Sequence, residues 1–262
     1  MNSWSRRRKR IILAIIFFVL IVLVGVPVFF LFYRAPTCFD GRQNGDEAGV
    51  DCGGSCQLLC RAESLPLIIK GDPRILSLAT STFEVIALVE NANNSGEIYR
   101  AGYVLKIYDA SSAVPVKTLE GFAYVPPGSV FAVFEGPFVL EAGVIPNRAV
   151  LEWQEGSLVW QKNAAPAPEL LVLDPALSRE TTSPRLEAVI SNPTLADLAN
   201  IDLTAVVSDA EGNIFAASKT FVESLPAGSK STAIFTWPKP FDRQAAGTEI
   251  IVRVFPDRSF IR

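Results

Sequence analysis

The residues most able to do chemistry in this chain of 262 are four cysteines and the acids between them. Cys38, Cys52, Cys56 and Cys60 are spaced C-x13-C-x3-C-x3-C within CFDGRQNGDEAGVDCGGSCQLLC. Outside the cytosol, where thiols are not kept reduced, an even cluster of this kind forms two disulfides. The segment has almost no apolar residues from which to build a core, so cross-links must give it shape. Spacing alone leaves three pairings open. Zinc is the rival reading, but its usual pattern needs two short C-x2-4-C hairpins and Cys38 stands alone. In the same loop Asp40, Asn44, Asp46, Glu47 and Asp51 alternate with Gly41, Gly45 and Gly49. Hard oxygen donors on a glycine-punctuated loop suit calcium, so these five are the candidate metal ligands. The plainer account is a solvated loop, since Asp, Asn and Gly dominate turns for conformational reasons, and EF-hand spacing is absent.

Taken together, Cys38-Phe39-Asp40-Gly41, Asn44-Gly45, Glu47, Gly49-Val50-Asp51-Cys52-Gly53-Gly54 and Cys56 resemble the short CxDGxxNGxExGVDCGGxC module of exported bacterial surface proteins. The resemblance covers under a tenth of the chain. It implies an exported location and a disulfide-bonded, calcium-assisted fold, and it implies no activity.

Histidine is absent from the whole chain, which removes the commonest general base and the commonest transition-metal ligand. A pair of carboxylates would still serve a glycosidase, but no such pair marks itself out. The expectation is therefore a protein that is not an enzyme, with no catalytic residues and no certain cofactor.

What holds the cysteine module in place begins upstream. Arg6-Arg7-Arg8-Lys9-Arg10 precedes an apolar run of 23 residues, Ile11 to Tyr33. As a helix this run is roughly 34 Å long, enough to span a bilayer. It is longer than a secretory signal core and lacks a small-x-small site at its end, so an uncleaved anchor is expected. Basic residues stay in the cytoplasm, which places residues 1–10 inside and the remainder outside. The exported part carries all 27 acidic residues against 19 of the 24 basic ones, a net −8. That balance lacks the basic footprint of a nucleic-acid binder.

From Arg74 onward, short alternating segments broken by turn residues predict a mainly β architecture. Phe83, Val85, Ala87 and Val89 alternate with Glu84, Ile86, Leu88 and Glu90. The second half repeats the first. Phe83–Asn91 aligns with Pro184–Asn192 at an offset of 101, while Leu105–Asp109 and Pro126–Gly128 align with Ala205–Asp209 and Pro226–Gly228 at an offset of 100. Asn91 and Asn192 end strands, where Asn tolerates a turn, and the Pro-x-Gly sites reverse the chain. Leu105-x-Ile107-Tyr108-Asp109 resembles the strand end of the immunoglobulin-like FxLYD domains; the second copy retains only Asp209. This resemblance implies binding or spacer modules rather than catalysis.

The expected organisation is a cytoplasmic tail at 1–10, a transmembrane helix at 11–33, a disulfide-rich module at 38–60, and two immunoglobulin-like β-sandwiches at 66–160 and 169–262. An Ala/Pro-rich spacer at 161–168 separates the sandwiches. Trp153, Trp160 and Trp237 could offer flat surface to a protein or glycan partner, although burial is the expected fate of large aromatics. Asn93-Asn94-Ser95 fits the glycosylation triplet. The functional expectation is a membrane-anchored extracytoplasmic scaffold or adhesion-type binding protein, with the bilayer itself contacting 11–33. The alternative is an accessory subunit of a membrane-bound envelope or secretion complex.

Overall fold

A computed structural model describes residues 3–32, 35–110, 112–163 and 167–256, and for residues 3–6 it describes the backbone alone. It comprises two compact units, residues 1–56 and 57–262.

In the first unit, helix α1 (Ser3–Leu20) passes through a π turn at Ile21–Gly25 into α2 (Val26–Phe32). Helix already begins at Ser3, ahead of both the basic cluster and the apolar run. The wide turn has a local cause: Pro27 lacks an N–H, and its ring collides with the carbonyl four residues back, at Leu23. From Arg7 to Phe32 the helix is long and apolar enough to cross a membrane, with exposed side chains. Tyr33 lies outside the described residues.

Among its described residues the second unit has fourteen strands. In chain order they are β1 (Ile68–Ile69), β2 (Arg74–Ala79), β3 (Thr82–Asn91), β4 (Gly96–Asp109), β5 (Lys117–Val125), β6 (Ser129–Val139), β7 (Pro146–Trp153), β8 (Gln161–Lys162), β9 (Leu171–Ser178), β10 (Arg185–Ser191), β11 (Leu198–Ser208), β12 (Ile214–Leu225), β13 (Lys230–Thr236) and β14 (Gly247–Val254). All pairings are antiparallel. Two β-sandwiches result. In the first, β3 pairs with β6 on one edge and with β1 and β2 on the other, opposite a sheet ordered β5-β4-β7. In the second, β13-β10-β9 lies opposite β12-β11-β14. The internal repeat is thus a repeat of topology: β2 to β7 and β9 to β14 follow the same path.

Each sandwich has its own core. Val85, Val89, Leu105, Ile107 and Phe131 are fully buried in the first, and Leu186, Ile190, Leu203, Val207 and Phe235 in the second. These are the inward-facing members of period-2 strands, where alternate side chains share a face.

A third cluster was not expected. Leu76, Ile86 and Ala132 from the outer face of the first sandwich pack on Val206, Ala217 and Ile251 from the outer face of the second. β3 is therefore buried on both faces, which explains why Ile86 and Leu88 are apolar although they fall out of phase with the core set. Polar groups close the same seam. Arg253 donates to Asp202 at 2.7 Å and to the Tyr124 carbonyl at 3.4 Å, and its guanidinium lies 4.8 Å from the Phe255 ring centroid. Within the span expected to be a spacer, Gln161 and Lys162 pair with Glu97 and Gly96 of β4, and residues 164–166 lie outside the described residues.

Candidate functional site

All four cysteines are oxidised, Cys38 being joined to Cys56 with Cα atoms 5.6 Å apart. Thiolate coordination of zinc is thereby excluded. A tight chain path in the loop demands glycine at one point in particular: at Gly54 φ is +52°, and a Cβ there would overlap the Asp46 carbonyl.

Four of the five candidate metal ligands, Asp40, Asp46, Glu47 and Asp51, serve as acceptors for the loop's own donors, and the fifth, Asn44, donates to Asp40. Asp51 takes the Asp40 and Gly41 amides at 3.0 to 3.1 Å. Asp40 takes the Arg42 amide at 2.9 Å and the Asn44 side chain at 2.8 Å, and the Asn44 bond chiefly holds its carboxyl below the ordinary range. Glu47 accepts the Asn44 amide at 3.0 Å, and Asp46 accepts the Ser55 hydroxyl at 2.8 Å. Among the described residues the only convergent acidic or thiol group is Cys38, Glu47 and Cys56, whose sulfurs are spent in the disulfide. Asp40 and Asn44 are brought together, and the Asn44 Oδ1 is buried with no hydrogen-bond partner. Any ion taken here would compete with backbone amides for Asp40 and Asp51.

The strand-ending asparagines have a role that turn preference did not reveal. Asn91, 1% exposed, donates to the Gly96 and Pro126 carbonyls at 2.8 and 2.7 Å. Asn192, 0% exposed, donates to Ala196, Leu225 and Pro226 at 2.9 to 3.2 Å. Each Oδ1 accepts the amide two residues on, from Asn93 or Thr194. One buried amide per sandwich thus ties a strand end to the following loop and to the Pro-x-Gly turn, satisfying carbonyls that water cannot reach. The signal was present in the sequence as the nearly constant spacing, 35 and 34 residues, between each Asn and its Pro-x-Gly. Asn93, the glycosylation candidate, is engaged with both backbone groups of Leu65, at 2.7 and 2.8 Å.

Trp160 and Trp237 are buried, the latter donating to the Ala217 carbonyl at 2.8 Å, and Trp153 is half-buried in the first core. They fill the interior rather than offering surface. Glu135 and Glu97 are bound to tyrosine hydroxyls, Tyr103 and Tyr124 respectively, and burial pushes both phenols up.

A concavity of about 760 Å³ lies beside β2 and β7 of the first sandwich, with the second sandwich's 213–217 and 237–243 segments as its far wall. Arg74, Arg148, Lys239 and Arg243 line it, together with Asp72, Asp242 and Glu84, whose carboxyl burial pushes up to about 7. Sequence reasoning missed it because these residues are scattered over 170 positions and converge only through the stacking of the sandwiches.

No family model and no curated protein matches this chain. Among solved structures, red sea bream transglutaminase aligns at 12% identity and a TM-score of 0.23, covering 70% of this chain and 31% of that one. The secreted serine protease VesC from Vibrio cholerae aligns at 9% and 0.19, covering 71% and 51%. The chain thus spans well under two thirds of either neighbour. Likenesses at these scores carry no inference about fold or activity.

Proposed function

We propose that this protein is a membrane-anchored, extracytoplasmic scaffold or adhesion-type binding protein without catalytic activity, single-pass, with its N-terminus in the cytoplasm. The observation that supports this reading best is the seam between the sandwiches. Independent beads would need only their own cores, whereas here an apolar cluster and a buried Arg253–Asp202 pair join two modules into one packed body. A body of two sandwiches packed on one another suits presenting one continuous surface to a partner. The order of charge around the helix, the oxidised cysteines and the FxLYD-type strand end support the same location and class. Function inferred from architecture is analogy, so the test is direct. Protease added to intact cells should remove the sandwiches and spare a tag on residues 1–10, and crosslinking in the same cells should join the sandwiches to an envelope component. Sandwiches that stay intact until the cells are lysed would overturn the topology. An accessory subunit would instead keep its complex when the sandwiches are deleted and lose it when the helix is replaced.

A further inference from the structure

We infer that Phe39 and Val50 form an apolar face by which the cysteine loop seats itself in the lipid headgroup region on the exported side of the bilayer. This goes beyond the anchored reading above, on which it rests, by giving the loop a contact with lipid separate from the helix.

Packing leaves these two side chains out. Between Cys38 and Cys60 the large apolar residues are Phe39, Val50, Leu58 and Leu59. Leu59 packs against the core of the first sandwich, and Leu58 is partly buried. Phe39 and Val50 are 83% and 58% exposed. The two belong to one corner of the loop, because Asp51, next to Val50, accepts the amides of Asp40 and Gly41, just beyond Phe39, at 3.0 to 3.1 Å. The Cys38–Cys56 disulfide closes the same corner. With its backbone held by these bonds, so small a loop has no core of its own into which the ring could fold.

Chain length names what covers them. From Ile11 to Phe32 the helix is about 33 Å long, a little more than the roughly 30 Å hydrocarbon core, so its exported end reaches the headgroups. Phe39 follows Phe32 by seven positions, at most about 25 Å of fully extended chain. Tethering on this scale makes contact with the bilayer an intramolecular event, with an effective concentration that a dissolved partner does not match. Apolar side chains held at the interface are stabilised by entering the boundary between headgroups and acyl chains. The adjoining acids set the kind of lipid. Asp40 and Asp51 have oxygens bonded to the loop's amides and to Asn44, yet both keep a negative charge that anionic headgroups would repel. The lipid that fits is therefore zwitterionic.

The test uses the full-length protein in phosphatidylcholine nanodiscs, with Phe39→Trp compared against its parent so that the emission of the native tryptophans cancels. The added emission should be quenched by phosphatidylcholine brominated near the top of its acyl chains and shielded from aqueous iodide. Val50→Asp in the same variant should remove most of that lipid quenching, since a carboxylate resists leaving water. On the unaltered protein, phosphatidylcholine with a photoreactive group at the same depth should label Phe39 or Val50 as well as the helix. Added emission open to iodide and untouched by brominated lipid overturns the proposal, as does emission shielded from both quenchers, which places the ring against protein. Lipid quenching unchanged by Val50→Asp, or photolabelling confined to the helix, does the same. Protein that does not stay with the nanodiscs refutes the anchored reading and this proposal with it, a result distinct from all of these and decided independently by the protease experiment in cells.

Discussion

Replacing Asn192 separates two explanations of why asparagine ends this strand. If Asn is present for its tolerance of turn geometry, Asn192→Asp should be nearly neutral, because Asp shares that tolerance. If the side-chain amide is the functional part, Asp removes both donors and sets a charge among the Ala196, Leu225 and Pro226 carbonyls. Asn192→Ala leaves those carbonyls and the Thr194 amide without their partner in a site that is 0% exposed. An orphaned buried group costs about 1–3 kcal/mol, and relaxation recovers some of it, so a loss of about 3 kcal/mol is expected for Ala. Asp should cost at least about 1 kcal/mol more, since an unpaired buried charge is worse than an absent side chain. For a cooperative unit of this size the Ala loss lowers Tm by roughly 6–12 °C. Urea unfolding followed by tryptophan emission reads it, Trp237 reporting from the affected sandwich. An Asp variant within about 0.5 kcal/mol of the parent would refute the clamp and restore the turn explanation.

Four further outcomes follow from the structure. Val206→Lys places in the seam the residue type that the first sandwich has at the equivalent Lys106; it should cost about 3 kcal/mol and split one unfolding transition into two, and a single unshifted transition would count against a cooperative seam. Arg253→Ala strands the buried Asp202 carboxylate with Lys219 at 3.3 Å as its remaining cation, for a loss of about 3–5 kcal/mol that Asp202→Asn in the same chain should partly recover. Burial raises Glu84 from 4.5 to about 7, so the native state holds the proton more tightly and stability falls as pH rises through that window; discounted for partial exposure this is about 1–2 kcal/mol, and Glu84→Gln should flatten the slope measured between pH 5 and 8 by about that amount. Asp51→Ala uncaps the Asp40 and Gly41 amides and should cost the loop about 2 kcal/mol in calcium and in chelator alike, read by hydrogen exchange, whereas a loss confined to calcium would make Asp51 an ion ligand.

Much of the fold was legible because it depends on local pattern. The alternation through Phe83 to Val89, the Pro-x-Gly reversals and the offset of 100 to 101 residues mark strands, turns and duplication, and the apolar run marks the helix. The seam was harder to read. Ile86 and Leu88 look like noise in an otherwise alternating strand, and only a second sheet laid against them gives their positions meaning. For Asn91 and Asn192 the letter signals a turn former, and the structure adds a buried donor to that role. The concavity beside β2 and β7 left no local trace at all. Arg74, Arg148 and Lys239 are ordinary surface residues until two modules stack.

The seam is also a joint that its two members do not repeat. A head-to-tail contact between like modules is, in principle, repeatable without end, since every module carries both halves of the joint. Here each half has been kept once and erased once. Where the second sandwich presents Val206, Ala217 and Ile251, the first presents Lys106, Thr118 and Glu152, with Lys106 and Glu152 paired at 2.6 Å. Where the first presents Ile86 and Ala132, the second presents Glu187 and Thr232. The two equivalent outer faces therefore lack the apolar half of the joint, so this particular contact cannot be repeated with a third sandwich of the same kind.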